Sequence, residues 1–169
     1  VLPITEKKVN AAAYTGVVRQ TDSPWENYWY GGGSLAGTGC GLFSLVNCVG
    51  YLTGELMDIP ALASWAYSTG GFNKYADGTY KLELYPLVNA KYGAQYGIEM
   101  DCGSDGGGWW YGAESTLLKT RLQQGYVAIG NVYNHFVAIV GYDPATNKYH
   151  VYDSAPRAHR GTNYNGGDV

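Results

Sequence analysis

Cys40, His135 and Asp153 are the residue types of a thiol hydrolase, and they come in an order that two secondary-structure types can bring together. Cys40 lies in GTGCGLFSLVNCVGYLTG, residues 37 to 54, wedged between Gly39 and Gly41. A cysteine in the first turn of a helix meets backbone N–H groups that lack a helical partner and the positive end of the dipole; both favour thiolate over thiol. The flanking glycines leave room for a substrate carbonyl to approach. The plainer alternative is a small hydrophobe packed in an apolar run.

A thiol nucleophile needs a base. Of the three histidines, His135 opens the run HFVAIVGYD just after a polar break at Tyr133 and Asn134, whereas His150 alternates with Tyr149 and Val151 and His159 falls in the tail. The base in turn needs an acid or amide to hold its tautomer. Asp153 ends the next run, KYHVYDSA, beyond a turn at Asp143 to Asn147. With that turn centred near Ala145, residue 135 faces residue 155 and Asp153 comes within diagonal reach of the imidazole. Alone, Asp153 would read as the cap of a turn with Ser154 and Pro156. Acyl transfer also needs donors for the oxyanion, usually the nucleophile's own N–H and a side-chain amide. Gln20, closing VVRQ, is the candidate amide, with a solvent-facing glutamine as the alternative.

The other two cysteines have different expected fates. Cys48 follows Cys40 by just over two helical turns, on the same side and about 12 Å deeper, which suits core packing. Cys102 sits beside Gly103, either free or paired with Cys48. The three cysteines are too few for a disulfide framework and lack the close pairs of a zinc site.

These residues must be positioned by a mixture of helices and strands. Leu42, Phe43, Leu45, Val46, Val49 and Leu52 recur at helical spacing, predicting a helix from Cys40 that Gly54 ends. The segment SPWENYWYGGGSLAGTG before it reads as a long irregular approach. A second helix is expected after Asp58 as N-cap, with Pro60 in its first turn. A third is expected from Glu83 to Tyr92, stopping at Gly93, and a fourth after Ser115, stopping at Gly125. YVAIGNVY, HFVAIVGYD and KYHVYDSA predict consecutive antiparallel strands. PRAHRGTNYNGGDV reads as a loop or frayed tail. The expectation is therefore one α+β domain over residues 1–169, helices first and an antiparallel sheet last.

Composition narrows the partners. The chain has 169 residues, a net charge of −3, 25 glycines, 17 tyrosines and 5 tryptophans. Scattered Lys and Arg form no basic patch for phosphates, so nucleic acid is not expected. No apolar run is long enough to span a bilayer. The chain begins with Val1 rather than Met, as a trimmed or mature form would, and any signal peptide would already be missing. DCGSDGGGWWYG, residues 101 to 112, reads as a surface loop with an aromatic patch at Trp109 and Trp110.

Gln20 with the Trp-containing segment after it, YGGGSLAGTGCG, the helix ending in YLTG, LLKTRLQQG, NHFVAIVGYD and VYDSAP follow one another in an order that resembles the C39-like family of papain-like cysteine peptidases, over residues 17 to 156. The resemblance implies a papain-like fold, the nucleophile helix packed on the C-terminal sheet, with Cys40 as nucleophile, His135 as general base, Asp153 as its orienter and Gln20 as oxyanion donor. It implies a peptide or protein substrate and no metal or organic cofactor. Two departures stand out: GCGLFSL replaces the family's Gly-Cys-Gly-Pro-Thr-Ser run, and Ser34, Leu35 and Ala36 stand where the exporter-fused branch has its glutamine. This points to the stand-alone bacterial branch, secreted or at the cell surface, which the Tyr, Trp, Gly and Asn bias suits. The leading expectation is a peptidase. The others are a catalytically silent module holding a peptide or glycan through the tyrosines and Trp109–Trp110, and a cell-wall amidase.

Overall fold

The computed structural model describes residues 12–73, 78–103, 115–132, 134–155 and 167–168. Trp109, Trp110, Pro156 and His159 lie outside the described residues. The class is mixed α+β.

The approach to Cys40, expected as an irregular loop, is folded. Strands β1 (Trp29–Tyr30) and β2 (Gly33–Ser34) pair antiparallel, and one helical turn, α1 (Leu35–Thr38), follows. Gly31 makes the tight turn possible: its φ is +68°, and a Cβ there would lie 2.3 Å from the Phe72 ring. Thr38 Oγ1 closes the unit by donating to the Tyr30 carbonyl at 2.9 Å and to the Ser34 carbonyl at 3.0 Å.

Gly39 separates α1 from α2 (Cys40–Thr53), which Gly54 ends in the left-handed conformation at φ 74°. Leu42, Phe43, Val46 and Val49 of α2 are buried with Tyr30, Leu35, Leu62 and Leu84 in the main core. Leu52, expected on the same apolar face, is turned outward and is 48% exposed. Helix α3 (Ile59–Ser68) begins as expected, the Asp58 carboxylate accepting from the Ala61 N–H at 3.0 Å.

Short strands β3 (Phe72–Asn73) and β4 (Gly78–Thr79) pair before the third helical region. That region runs further than its predicted span. It comprises α4 (Lys81–Leu84), a 3₁₀ turn (Tyr85–Leu87), a π turn (Asn89–Gly93) and α5 (Ala94–Tyr96). Pro86 lacks an N–H and so cannot continue a regular ladder, which changes pitch around it. Gly93 stays helical at φ −55°, and Gly97, at φ 65°, is the stop.

Helix α6 (Thr116–Gln123) is capped by Ser115, whose hydroxyl accepts from the Leu118 N–H. The chain then forms β5 (Ala128–Val132), β6 (His135–Asp143) and β7 (Lys148–Tyr152), and β8 (Gly167–Asp168) adds to the far edge. The order is β5-β6-β7-β8, all neighbours antiparallel. The end of the chain, expected as a loop or tail, thus contributes two residues to the sheet.

Helix α2 packs on β5 and β6. Cys48 makes this seam with Ala138 and Val140, and its thiol is directed at the Ala128 carbonyl. None of the three cysteines is in a disulfide, so Cys48 and Cys102 are unpaired with each other. Among the described residues no helix is long and apolar enough to cross a membrane.

Candidate thiol site

Cys40 is the first residue of α2. Gly39 breaks the ladder there: the Ala36 carbonyl, which would accept the Cys40 N–H in a continuous helix, instead accepts from Gln20 Nε2 at 2.7 Å. Gly41 is needed for close packing, since a Cβ would lie 2.4 Å from both Cβ and Oγ1 of Thr79. Tyr85 donates its hydroxyl to the Gly41 carbonyl at 3.1 Å and sets its ring edge-on to Phe136, tying the start of α2 to the start of β6.

His135 opens β6 opposite Val132, on the far side of a two-residue hairpin in which Asn134 has φ 50°. Its Nε2 is 2.6 Å from Asp153 Oδ1, and both side chains are almost wholly buried. With Nε2 engaged, Nδ1 is the ring nitrogen left for the Cys40 thiol, which lies near enough for each group to shift the other's ionisation. Asp153 Oδ1 also accepts from the Ala155 N–H at 2.8 Å, so the turn cap and the histidine partner are the same oxygen.

A β-bulge gives Asp153 its side of the sheet. Ile139 faces Val151 but Gly141 faces His150, so Val140 is an extra residue in β6. Residues facing one another across an antiparallel pair point to the same side. Carried past the last pair, Ala138 with Tyr152, the register sets His135 opposite Ala155 and Asp153 diagonal to it on the same side. Without the extra residue, Asp153 would face Ala138 and point away from the imidazole.

The electrostatics favour an ion pair. Burial opposes ionisation of Cys40, but the His135 hydrogen bond, the Phe136 and Gly41 N–H groups and the His135 charge outweigh it, holding the thiol below its ordinary pKa. Burial likewise disfavours a charged His135, yet the hydrogen bonds to Asp153 and Cys40 and their charges raise its pKa. Burial alone pushes Cys48 up to about 12, and burial with the nearby Asp101 raises Cys102. Only one of the three thiols is therefore shifted toward thiolate.

Gln20 is buried, 3% exposed, rather than solvent-facing. Its Nε2 donates to Ala36 and its Oε1 accepts from Ser154 Oγ at 2.8 Å. The segment carrying it is fastened to α2 by Asn47, wholly buried, which bonds to Val18 N–H, Val18 carbonyl, Phe43 carbonyl and the Tyr14 hydroxyl.

The structure thus gathers Cys40, His135 and Asp153 in one chain of contacts and lays Gln20 against the turn before Cys40. Three supporting residues escaped the sequence reading. Asn47 carried a signal, an amide in the middle of an apolar helix, which burial obliges to be fully hydrogen-bonded. Ser154 was visible only as a turn residue, and Tyr85 carried no local signal. His150, on β7, lies outside this cluster, and among the described residues no three His, Cys, Asp or Glu side chains form a metal-binding group. Comparison with protein-family models, with curated proteins and with solved structures finds no match to this chain.

Proposed function

We propose that this protein is a cysteine peptidase of the papain-like, C39-like type, cleaving a peptide or isopeptide amide at Cys40. One observation carries the reading: a thiol at the start of a buried helix lies close enough to a histidine for each to shift the other's ionisation, and that histidine is 2.6 Å from a buried aspartate. A silent binding module would have no need of a thiol shifted toward thiolate and a histidine shifted toward imidazolium.

In this reading the Cys40 thiolate attacks the amide carbonyl carbon, and the carbonyl π electrons move onto oxygen. The Cys40 N–H and Gln20 Nε2 face the resulting oxyanion, donors that strengthen as charge develops. His135 transfers the Nδ1 proton to the leaving nitrogen as the C–N bond breaks, leaving a thioester and a neutral imidazole. Nδ1 then takes a proton from water as its oxygen attacks the thioester. Collapse of that adduct expels the Cys40 thiolate and releases the acid, returning the imidazolium. Asp153 holds the ring and stabilises its charge in both steps.

In this reading the substrate is a peptide or protein, and the protein works outside the cytoplasm of a bacterium, as the resemblance implies. The test pairs a peptide library with peptidoglycan fragments, using the native protein and Cys40→Ala. Cleavage of peptides by the native protein alone is the expected result. Release of stem-peptide amides from peptidoglycan instead would make the protein a cell-wall amidase. Equal turnover by Cys40→Ala would remove Cys40 as nucleophile.

A further inference from the structure

Asp153 and Ser154 are adjacent, and each holds a different member of the site. Asp153 binds the His135 ring at 2.6 Å, and Ser154 Oγ donates to Gln20 Oε1 at 2.8 Å. The Ser154 carbonyl also accepts the Gln20 N–H at 3.0 Å, so both the backbone and the side chain of Gln20 are bound to this one residue.

We infer that Ser154 is a positioning residue that sets the orientation of the Gln20 amide, an inference that rests on the thiol-hydrolase reading. The two ends of a carboxamide are nearly equal in size, so partner chemistry decides which way it points. On one side stands the Ala36 carbonyl, which can only accept and therefore takes Nε2. On the other, the Ser154 hydroxyl donates to Oε1. A flipped amide would set two acceptor oxygens against each other at Ala36. In the observed orientation one Nε2 proton is spent on Ala36, and the second is the one the proposed mechanism offers to the oxyanion.

Burial makes the hydroxyl hard to replace. Gln20 is 3% exposed, Ser154 1% and Asp153 4%, so water cannot readily stand in for a lost donor.

The test separates carbonyl chemistry from thiolate chemistry. Acylation of Cys40 by p-nitrophenyl acetate passes through an oxyanion, whereas alkylation by iodoacetamide at a saturated carbon does not. Rates are corrected for the reaction of Cys40→Ala. Gln20→Ala should slow acylation by roughly 100-fold. Ser154→Ala should slow it by about tenfold while leaving the alkylation rate and its pH profile unchanged. In the Gln20→Ala background, Ser154→Ala should add less than about twofold, because the two act through one contact.

Equal slowing by Ser154→Ala in both backgrounds, or alkylation falling as much as acylation, would overturn the inference, since Ser154 would then act through the fold or through His135. Should Ser154→Ala not fold, the native protein still decides. The Gln20 side-chain amide protons, assigned by their loss in Gln20→Ala, should exchange with solvent over hours. Exchange within seconds would contradict a fixed amide. A native protein that Cys40 does not make reactive toward either reagent would sink the hydrolase reading itself, and this inference with it.

Discussion

The Asn47 side chain and the Val18 main chain exchange two hydrogen bonds, the Val18 N–H to Oδ1 at 2.8 Å and Nδ2 to the Val18 carbonyl at 3.0 Å. This places the segment that ends in Gln20 against the helix that begins with Cys40, although the two site positions lie 20 apart in the chain. Helix α2 thus both begins with the proposed nucleophile and anchors the segment that carries the proposed oxyanion donor.

Replacing Asn47 by Leu, of similar size, should therefore be costly. It leaves the Val18 N–H and carbonyl and the Tyr14 hydroxyl facing an apolar side chain. We expect a loss of roughly 3 kcal/mol, seen as a lower urea midpoint, because buried polar groups without partners cost about 1–3 kcal/mol each. A midpoint equal to that of the native protein would show that water satisfies these groups.

The three thiols should differ in reactivity. At neutral pH one equivalent of iodoacetamide should modify Cys40 first, because its pKa is lowered while burial pushes Cys48 up to about 12 and raises Cys102. Peptide mapping by mass spectrometry reads the result directly. Modification of Cys48 or Cys102 before Cys40 would contradict the assignment.

Asp153→Ala should narrow the pH range of acyl transfer from both ends. In the proposed mechanism Cys40 works ionised and His135 protonated, and the site favours both by lowering the first pKa and raising the second. Removing Asp153 deletes a bond and a charge that raise His135, moving the alkaline limb to lower pH. A less charged His135 helps the thiolate less, moving the acid limb to higher pH. The maximum rate should drop on the order of 10- to 100-fold. A profile unchanged in shape would mean that Asp153 does not act on the imidazole.

Gly41→Ala offers a test of sign. Helix propensity alone predicts a gain of about 1 kcal/mol from replacing a helical glycine by alanine. Here the new Cβ would lie 2.4 Å from the Thr79 side chain, on a buried strand whose hydroxyl is 3.3 Å from that of Tyr30. Overpacking at such a site costs about 1–3 kcal/mol, so the unfolding midpoint should fall and Cys40 alkylation should slow. A stabilised variant would refute the tight contact.

Local signals in the chain were enough for much of the framework. Apolar residues at helical spacing, with Gly54 after them, mark α2 to within a residue, and Asp58 and Ser115 mark two helix starts because capping is decided by neighbours in sequence. The alternating runs around Asn134 and Asp143 mark the hairpins that carry His135 and Asp153. Where a distant contact decides, local signals do not suffice. The ladder runs through Gly93 to Gly97, and the segment before Cys40 folds because Gly31 fits under the Phe72 ring.

The catalytic register shows the division most clearly. A turn centred near Ala145 put His135 opposite residue 155. In the structure the turn falls later, between Asp143 and Lys148, and the extra Val140 restores that alignment. What the sequence by itself determined was the cast, Cys40 at a helix start and His135 and Asp153 on successive strands, because residue type and periodicity act locally. Only the tertiary structure decided that Gln20 is buried against Ala36 and Ser154, that Asn47 joins it to α2, and that a bulge turns Asp153 toward His135. These are matters of desolvation and register, set by groups far apart in the chain, and a buried polar group takes whichever partner the finished packing provides.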